Sequence, residues 1–256
     1  MNHLNTLEKI ETLLDARSKH SSYQNVHPKI LEKVGVQYVP QGKAEEERWA
    51  YMSRYYSFSG ARVLDIGANT GFFSVSAAFE GAREVLAVEG NAEHAQFIEA
   101  SAELLQINDI LKAQNYYFKF ENYFERPCDV SFCLNVLHHL GDDFGNPQYD
   151  KQQAIVAMKE KLRNLSVTSS CCWFQLGFNW KGDRNECLFP RGSKRELVDF
   201  VAEACEGAWV IDEVAAFCPE TKKYKPLDGE LFDRFDSLGE FLNRPLFFLR
   251  SMQLKS

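Results

Sequence analysis

The chain has 256 residues, with 29 Lys plus Arg against 36 Asp plus Glu, a formal charge of -7 and 45% hydrophobic residues. Its 20 Phe, 10 Tyr and 4 Trp supply more apolar surface than a disordered chain carries, and the length suits one large domain with an extension. The acidic balance argues against broad, charge-driven nucleic-acid binding and leaves only a local basic patch open. At the amino terminus, charges interrupt the apolar positions every few residues, so no signal peptide or membrane span is expected there. Leu4, Leu7, Ile10, Leu13 and Leu14 recur at helical spacing instead, which predicts an amphipathic helix to about Arg17. An irregular stretch punctuated by Gly35, Pro40 and Gly42 follows, and then a second helix from about Ala44 to Tyr56. Residues 1–60 therefore read as a helical extension or lid, and residues 61–256 as the main domain.

From Arg62 the pattern changes to short apolar runs alternating with helical segments, which is how βα units around a mostly parallel sheet read in sequence. The runs are RVLDIG, EVLAVEG, a weak one near Leu111 to Tyr117, DVSFCLNV and SSCCWFQLGF. Helices are predicted at about Phe72 to Phe79, Ala92 to Leu105, Asp150 to Asn164 and Lys194 to Ala204. WVIDEVAAF and PLFFLRSMQL close the chain, separated by a polar, charge-rich stretch from Pro219 to Asn243. With an insertion rather than a helix between them, these two late strands are expected to pair antiparallel. The seven cysteines form no C-x-x-C pair, so reduced, mostly buried thiols in a cytoplasmic protein are expected.

The most informative segment is VLDIGANTGFFS, Val63 to Ser74. A strand ends at Asp65, a turn with Gly67 and Gly71 follows, and a helix opens at Phe72. Glycines suit a sharp turn that a ligand must approach closely, and a helix amino terminus adds unpaired N–H groups aimed at that ligand. The next strand ends at Glu89, whose carboxylate there can accept both hydroxyls of a ribose. A P-loop is excluded because no G-K-[ST] follows. The dinucleotide pattern G-x-G-x-x-G is weakened by Asn69 and Phe72 at its second and third glycine positions.

The remaining pattern, D-x-G-x-x-x-G with an acidic residue two before the first glycine, resembles motif I of the class I S-adenosyl-L-methionine (SAM) dependent methyltransferases. The resemblance spans about Arg62 to Phe178 and implies a Rossmann-like, mostly parallel, seven-stranded sheet with an antiparallel late strand. It further implies that Asp65 anchors the turn, that Gly67, Asn69, Gly71 and Phe72 line the methionine part of SAM, and that Glu89 holds the ribose, with Gly90 and Asn91 near the adenine. DVSFCLNVLHHLGD resembles motif IV, which puts Asn135 at the end of the fourth strand, facing the transferred methyl group. His138 and His139 follow. A hydroxyl nucleophile benefits from a base, which His supplies near neutral pH; His139 is favoured over His138. Asp142 and Asp143 raise a metal site of the catechol-methyltransferase kind, but the further Asp and Asn it needs are not identifiable. A solvated surface is the preferred reading, with no metal.

In an open α/β sheet, ligands bind outside the carboxyl ends of the strands. Three stretches are placed to line an acceptor site. FQLGFNWKGDRNECLFPRG offers Gln175, Asn179, Trp180, Lys181 and Arg184, of which Gln175, Trp180, Lys181 and Arg184 are the favoured contacts to a sugar or phosphate. The extension offers Tyr23, Gln24, Gln41, Lys43, Arg48 and Trp49 as a lid over the cofactor. KKYKP, Lys222 to Pro226, is a small anion site or, preferably, a solvated loop. LNVLHHLGDDFG followed by FQLGFNWKGDRN is similar to methyltransferases of bacterial surface-polysaccharide clusters, which implies an oxygen of a saccharide or glycan-linked phosphate as methyl acceptor. The extension and the turn also look like the transfer-RNA wobble-uridine modification family, so a nucleoside-modifying methyltransferase is the alternative, and a catalytically silent SAM-binding protein a further one. Oligomeric state is left open.

Overall fold

Near-continuous apolar runs such as Val63–Ile66 and Val85–Val88 form strands covered on both faces, because neither alternates with polar residues. A computed structural model describes residues 3–15, 23–37, 43–121 and 126–254, and the chain divides into two units, Met1–Phe118 and Lys119–Ser256. In the first unit, β1 (Arg62–Ile66), β2 (Glu84–Glu89) and β3 (Leu111–Asn115) pair in parallel in the order β3-β2-β1. The register sets Ile66 beside Val88 and Glu89 beside Asn115, so polar residues collect at the carboxyl ends of the strands. The crossovers are α4 (Phe72–Phe79) and α5 (Ala92–Leu104). Seven of the eight residues of α4 are buried, as expected of a helix that is apolar all round.

The extension belongs to this unit. It contains α1 (His3–Asp15), packed on α5, a short α2 (Pro28–Lys33), and α3 (Glu45–Tyr55), packed on α4. Two of these sit where the sequence predicts helices. α2 lies in the stretch read as irregular: six residues are too few to show a period, although Pro28 marks its start. The expected Arg17, Pro40, Gln41 and Gly42 positions lie outside the described residues. Buried Glu45 clasps Asn25, accepting its backbone N–H at 3.2 Å and its side-chain amide at 2.7 Å. His27 caps α2, its Nδ1 accepting the Lys29 N–H at 3.2 Å, and lies against the rings of Phe72 and Phe79.

In the second unit the order is β4 (Cys128–Leu134), β5 (Ser169–Gln175), β8 (Leu246–Ser251), β6 (Trp209–Cys218) and β7 (Lys223–Pro226). β4 and β5 are parallel, joined through α6 (Lys151–Leu165), and α7 (Lys194–Cys205) leads to β6. β8 inserts antiparallel between β5 and β6, the pairing expected of two late strands without a helix between them. Both long helices open on capping boxes, Asp150 with Gln153 and Ser193 with Glu196. Trp173 stacks on Phe248 at 4.7 Å in the core. The fold is thus the expected Rossmann-like α/β class, with eight strands among the described residues where seven were expected. The extra one is KYKP. Tyr224 is buried edge-on against Phe217, while Lys223 and Lys225 point outward, so this segment is a lysine-guarded edge strand rather than a solvated loop. Among the described residues no helix is long and apolar enough to cross a membrane.

Burial, helped by the Lys29 ammonium, pushes the His27 pKa down to about 4. Between the unfolded value of 6.5 and that figure the unfolded chain binds the extra proton, so this stabilisation is complete above pH 6.5 and is lost as pH falls towards 4. It amounts to roughly 3 kcal/mol at most. His27→Asn keeps a cap acceptor but has nothing to titrate. Thermal melts are expected to show the native protein losing more stability than this variant between pH 7 and 4.5, whereas equal losses would contradict the assignment.

Candidate functional site

In the first unit, the chain leaves β1 through three residues in the left-handed region, Gly67, Asn69 and Gly71. Gly71 has no alternative there, because a Cβ would stand 2.9 Å from Ile98 Cγ1 and a side chain is strained at its φ of 77°. Asp65 is buried at the end of β1 and accepts the Ser74 hydroxyl at 2.6 Å, tying the strand to the first turn of α4. Burial, reinforced by the Glu89 charge and opposed by Ser74, pushes its pKa up to about 7.

Glu89 joins the two turns at this end of the sheet. Its Oε2 accepts the Asn69 N–H at 2.7 Å and its Oε1 the Asn91 N–H at 2.8 Å. Asn91 caps α5 through the His94 N–H. Behind Glu89, Asn115 Nδ2 donates to the carbonyls of Glu89 and Gly90 at 2.9 and 3.0 Å. The half-exposed Tyr117 ring lies so close over Gly90 that a Cβ would come within 2.3 Å of it.

The start of α4 is not open as the sequence suggests. Gln24 Oε1 accepts the Phe72 N–H at 2.9 Å and the Thr70 hydroxyl at 3.0 Å. Gln24 thereby fastens the extension to the glycine turn. The Phe72 ring is buried against His27 and Phe73, so it packs the helix instead of lining the turn.

In the second unit, β4 ends at Asn135, also left-handed at a φ of 62°, and a single 3-10 turn, Leu137–His139, follows. His138 is 1% exposed, and its Nδ1 accepts the Gly177 N–H at 3.3 Å. Its ring lies where a Cβ on Gly177 would approach to 2.7 Å. Burial, with the His139 and Arg244 charges, pushes its pKa well below the usual value. His139 packs against it with the rings tilted and their centroids 4.3 Å apart, and its Nδ1 lies 3.2 Å from Asp143 Oδ2. Asp143 therefore faces the histidine, where the sequence suggested solvent. Donor atoms of His139, Asp142 and Asp143 lie within 4.8 Å of one another, a grouping that could hold a cation.

The loop after β5 folds onto this turn. Trp180 Nε1 donates to the Leu140 carbonyl at 2.8 Å, the Lys181 ammonium lies 4.3 Å over the Trp180 ring, and Gly182 faces His139 Cε1. Trp180 and Lys181 thus stand beside His139, and Arg184 is exposed at the loop tip. Gln175 is fully buried with both ends of its amide engaged, to Asn135 at 3.0 Å and to the Arg244 carbonyl at 2.9 Å. It is a structural residue and not an acceptor contact. Asn135, half-buried, is also engaged, giving Nδ2 to Gln175 and taking Arg244 Nη1 at 2.8 Å on Oδ1, with one N–H and one lone pair of its amide beyond these two bonds. Sequence reasoning missed Arg244, Glu240 and Tyr117. The first two sit in a charge-rich stretch where buried and solvated charges look alike, and Tyr117 was read only as strand.

No protein-family model matches the chain, and no curated protein matches its sequence. Solved structures do match. Against WbdD in complex with a kinase inhibitor the TM-score is 0.56 at 19% identity, over 94% of this chain and 47% of that one. A structure described as the bifunctional kinase-methyltransferase WbdD gives 0.55 at 17%, over 94% and 46%. A Streptococcus thermophilus protein provisionally described as a hemolysin gives 0.52 at 16%, over 84% and 68%. The chain thus shares its fold with about half the length of WbdD.

His138 is expected to stay neutral, with Nδ1 unprotonated. Its imidazole signals in an NMR titration should not move between pH 8 and 5.5 in the folded protein; a midpoint near 6.5 would contradict this environment.

Proposed function

We propose that the chain is a SAM-dependent methyltransferase acting on an oxygen of a saccharide or glycan-linked phosphate. The observation that carries the reading is Glu89, a carboxylate at the carboxyl end of β2 that accepts the Asn69 and Asn91 N–H groups from two turns. A carboxylate so placed suits a vicinal diol. The raised Asp65 pKa suits a cationic ligand, since a positive charge nearby would offset the repulsion between the two carboxylates. The likeness to WbdD, described as a kinase-methyltransferase, agrees with this. When bound, SAM supplies a sulfonium methyl that needs alignment more than activation. In this reading residues 1–60 act as a lid, closed over the glycine turn by Gln24, and the Trp180–Arg184 loop contacts the acceptor.

His139 serves as the base in this scheme. Asp143 lies on the Nδ1 side of its ring, and in this scheme Nε2 receives the proton of an acceptor hydroxyl and passes it to solvent. His138, buried and accepting the Gly177 N–H, packs the ring in place. A phosphate oxygen is already ionised and needs no base. Tritiated methyl transfer to saccharides and to glycan phosphates therefore tests the reading and sorts the acceptors. His139→Gln should cost roughly 10²- to 10⁴-fold on a hydroxyl acceptor and little on a phosphate. Transfer to neither class by the native protein would reject the proposal. Activity is expected to survive EDTA; its loss, restored by a divalent cation, would move His139, Asp142 and Asp143 from base to metal ligands.

A further inference from the structure

Within the second unit, the last turn before β8 carries a charge pair that is mostly buried. Arg244 Nε donates to Glu240 Oε1 at 3.0 Å, and its Nη2 pairs with Glu240 Oε2. Its Nη1 reaches Asn135, 109 residues away in sequence. Glu240 Oε1 also accepts the Phe178 N–H at 3.0 Å. Gln175 closes the circuit, accepting Asn135 Nδ2 and donating to the Arg244 carbonyl. Burial works against ionisation of Glu240, but the Arg244 guanidinium and the Phe178 amide hold its pKa below the usual carboxylate value. Three segments meet in this circuit: the end of β4, residues 175–178 after β5, and α8 (Gly239–Leu242) with the residues that follow it.

Mostly buried charge pairs are poor stabilisers, and well-packed apolar replacements are often neutral or better. The position of this one is informative. It holds Asn135 in a left-handed conformation that costs on the order of 1–3 kcal/mol unless its surroundings fix it. It also brackets Gly177, whose N–H sets the His138 ring, against which the tilted His139 ring packs. We infer that Arg244, paired with Glu240, is a positioning residue that fixes the turn carrying His138 and His139. This rests on the methyltransferase reading for its consequence but not for its geometry. Arg244 touches neither reacting atom; it acts through Asn135 and the Gln175–Phe178 segment.

Two replacements test it. Arg244→Lys keeps the charge and loses the fork, while E240Q/R244Q removes both charges and strands neither, so one remains informative if the other fails to fold. Nitrogen NMR of the imidazoles should show native His138 as a single tautomer with Nδ1 unprotonated, and both variants with mixed tautomers and altered His139 signals. Single-turnover transfer should fall on the order of 100-fold, with binding of S-adenosylhomocysteine unchanged. Asn135→Ala added to Arg244→Lys should cost nothing more, as expected of residues acting as one unit. Folded variants with native His138 signals and native rates would overturn the inference. Should the native protein transfer no methyl group at all, the functional reading falls, and the His138 signature still decides the role of Arg244.

Discussion

One carboxylate organises the first unit. Glu89 takes one backbone N–H from the turn after β1 and another from the turn after β2, alongside the bonds of Gly67 and Ala68 to the Val88 carbonyl. Hydrogen bonds to an ionised acceptor are about twice as strong as neutral ones, and each helps to fix the direction of a turn peptide. Asn69 can then sit in the left-handed region, Gly71 can bring the chain against Ile98, and α4 can start where it does. The carboxyl end of the sheet becomes a shaped, acidic cradle.

Burial raises the cost of ionising Asp65, and the Glu89 charge adds to it. A cationic ligand would draw Asp65 towards the charged form, so binding and proton release should be linked. In the second unit the opposite device operates. Burial, with the His139 and Arg244 charges, pushes the His138 pKa well below its usual value, while His139 Nδ1 lies beside the Asp143 carboxylate.

What could be read in advance follows from the range of each interaction. α4 and α5 lie within a residue of where the apolar runs place them, and the capping boxes that open α6 and α7 are local, spanning four residues each. The glycine turn and Glu89 were legible because a strand end, a turn and a second strand end recur at local spacing. β7 was not, since Lys223 and Lys225 hide Tyr224, whose burial depends on Phe217 across the hairpin. Gln24 was named as part of a lid but not as the acceptor for the Phe72 N–H, a partner 48 residues on. Arg244 and the buried engagement of Gln175 depend on contacts across 69 to 109 residues, and no local pattern distinguishes such charges and amides from solvated ones.

The central claim is that the cradle around Glu89 holds the adenosyl group of SAM. Calorimetric titration of S-adenosylhomocysteine into the native protein and into Glu89→Ala tests it most directly. Saturable heat at one site in the native protein, weakened at least about tenfold by the loss of the charge-assisted bonds, is the predicted result. No heat from the native protein, or an unchanged affinity in the variant, would contradict it.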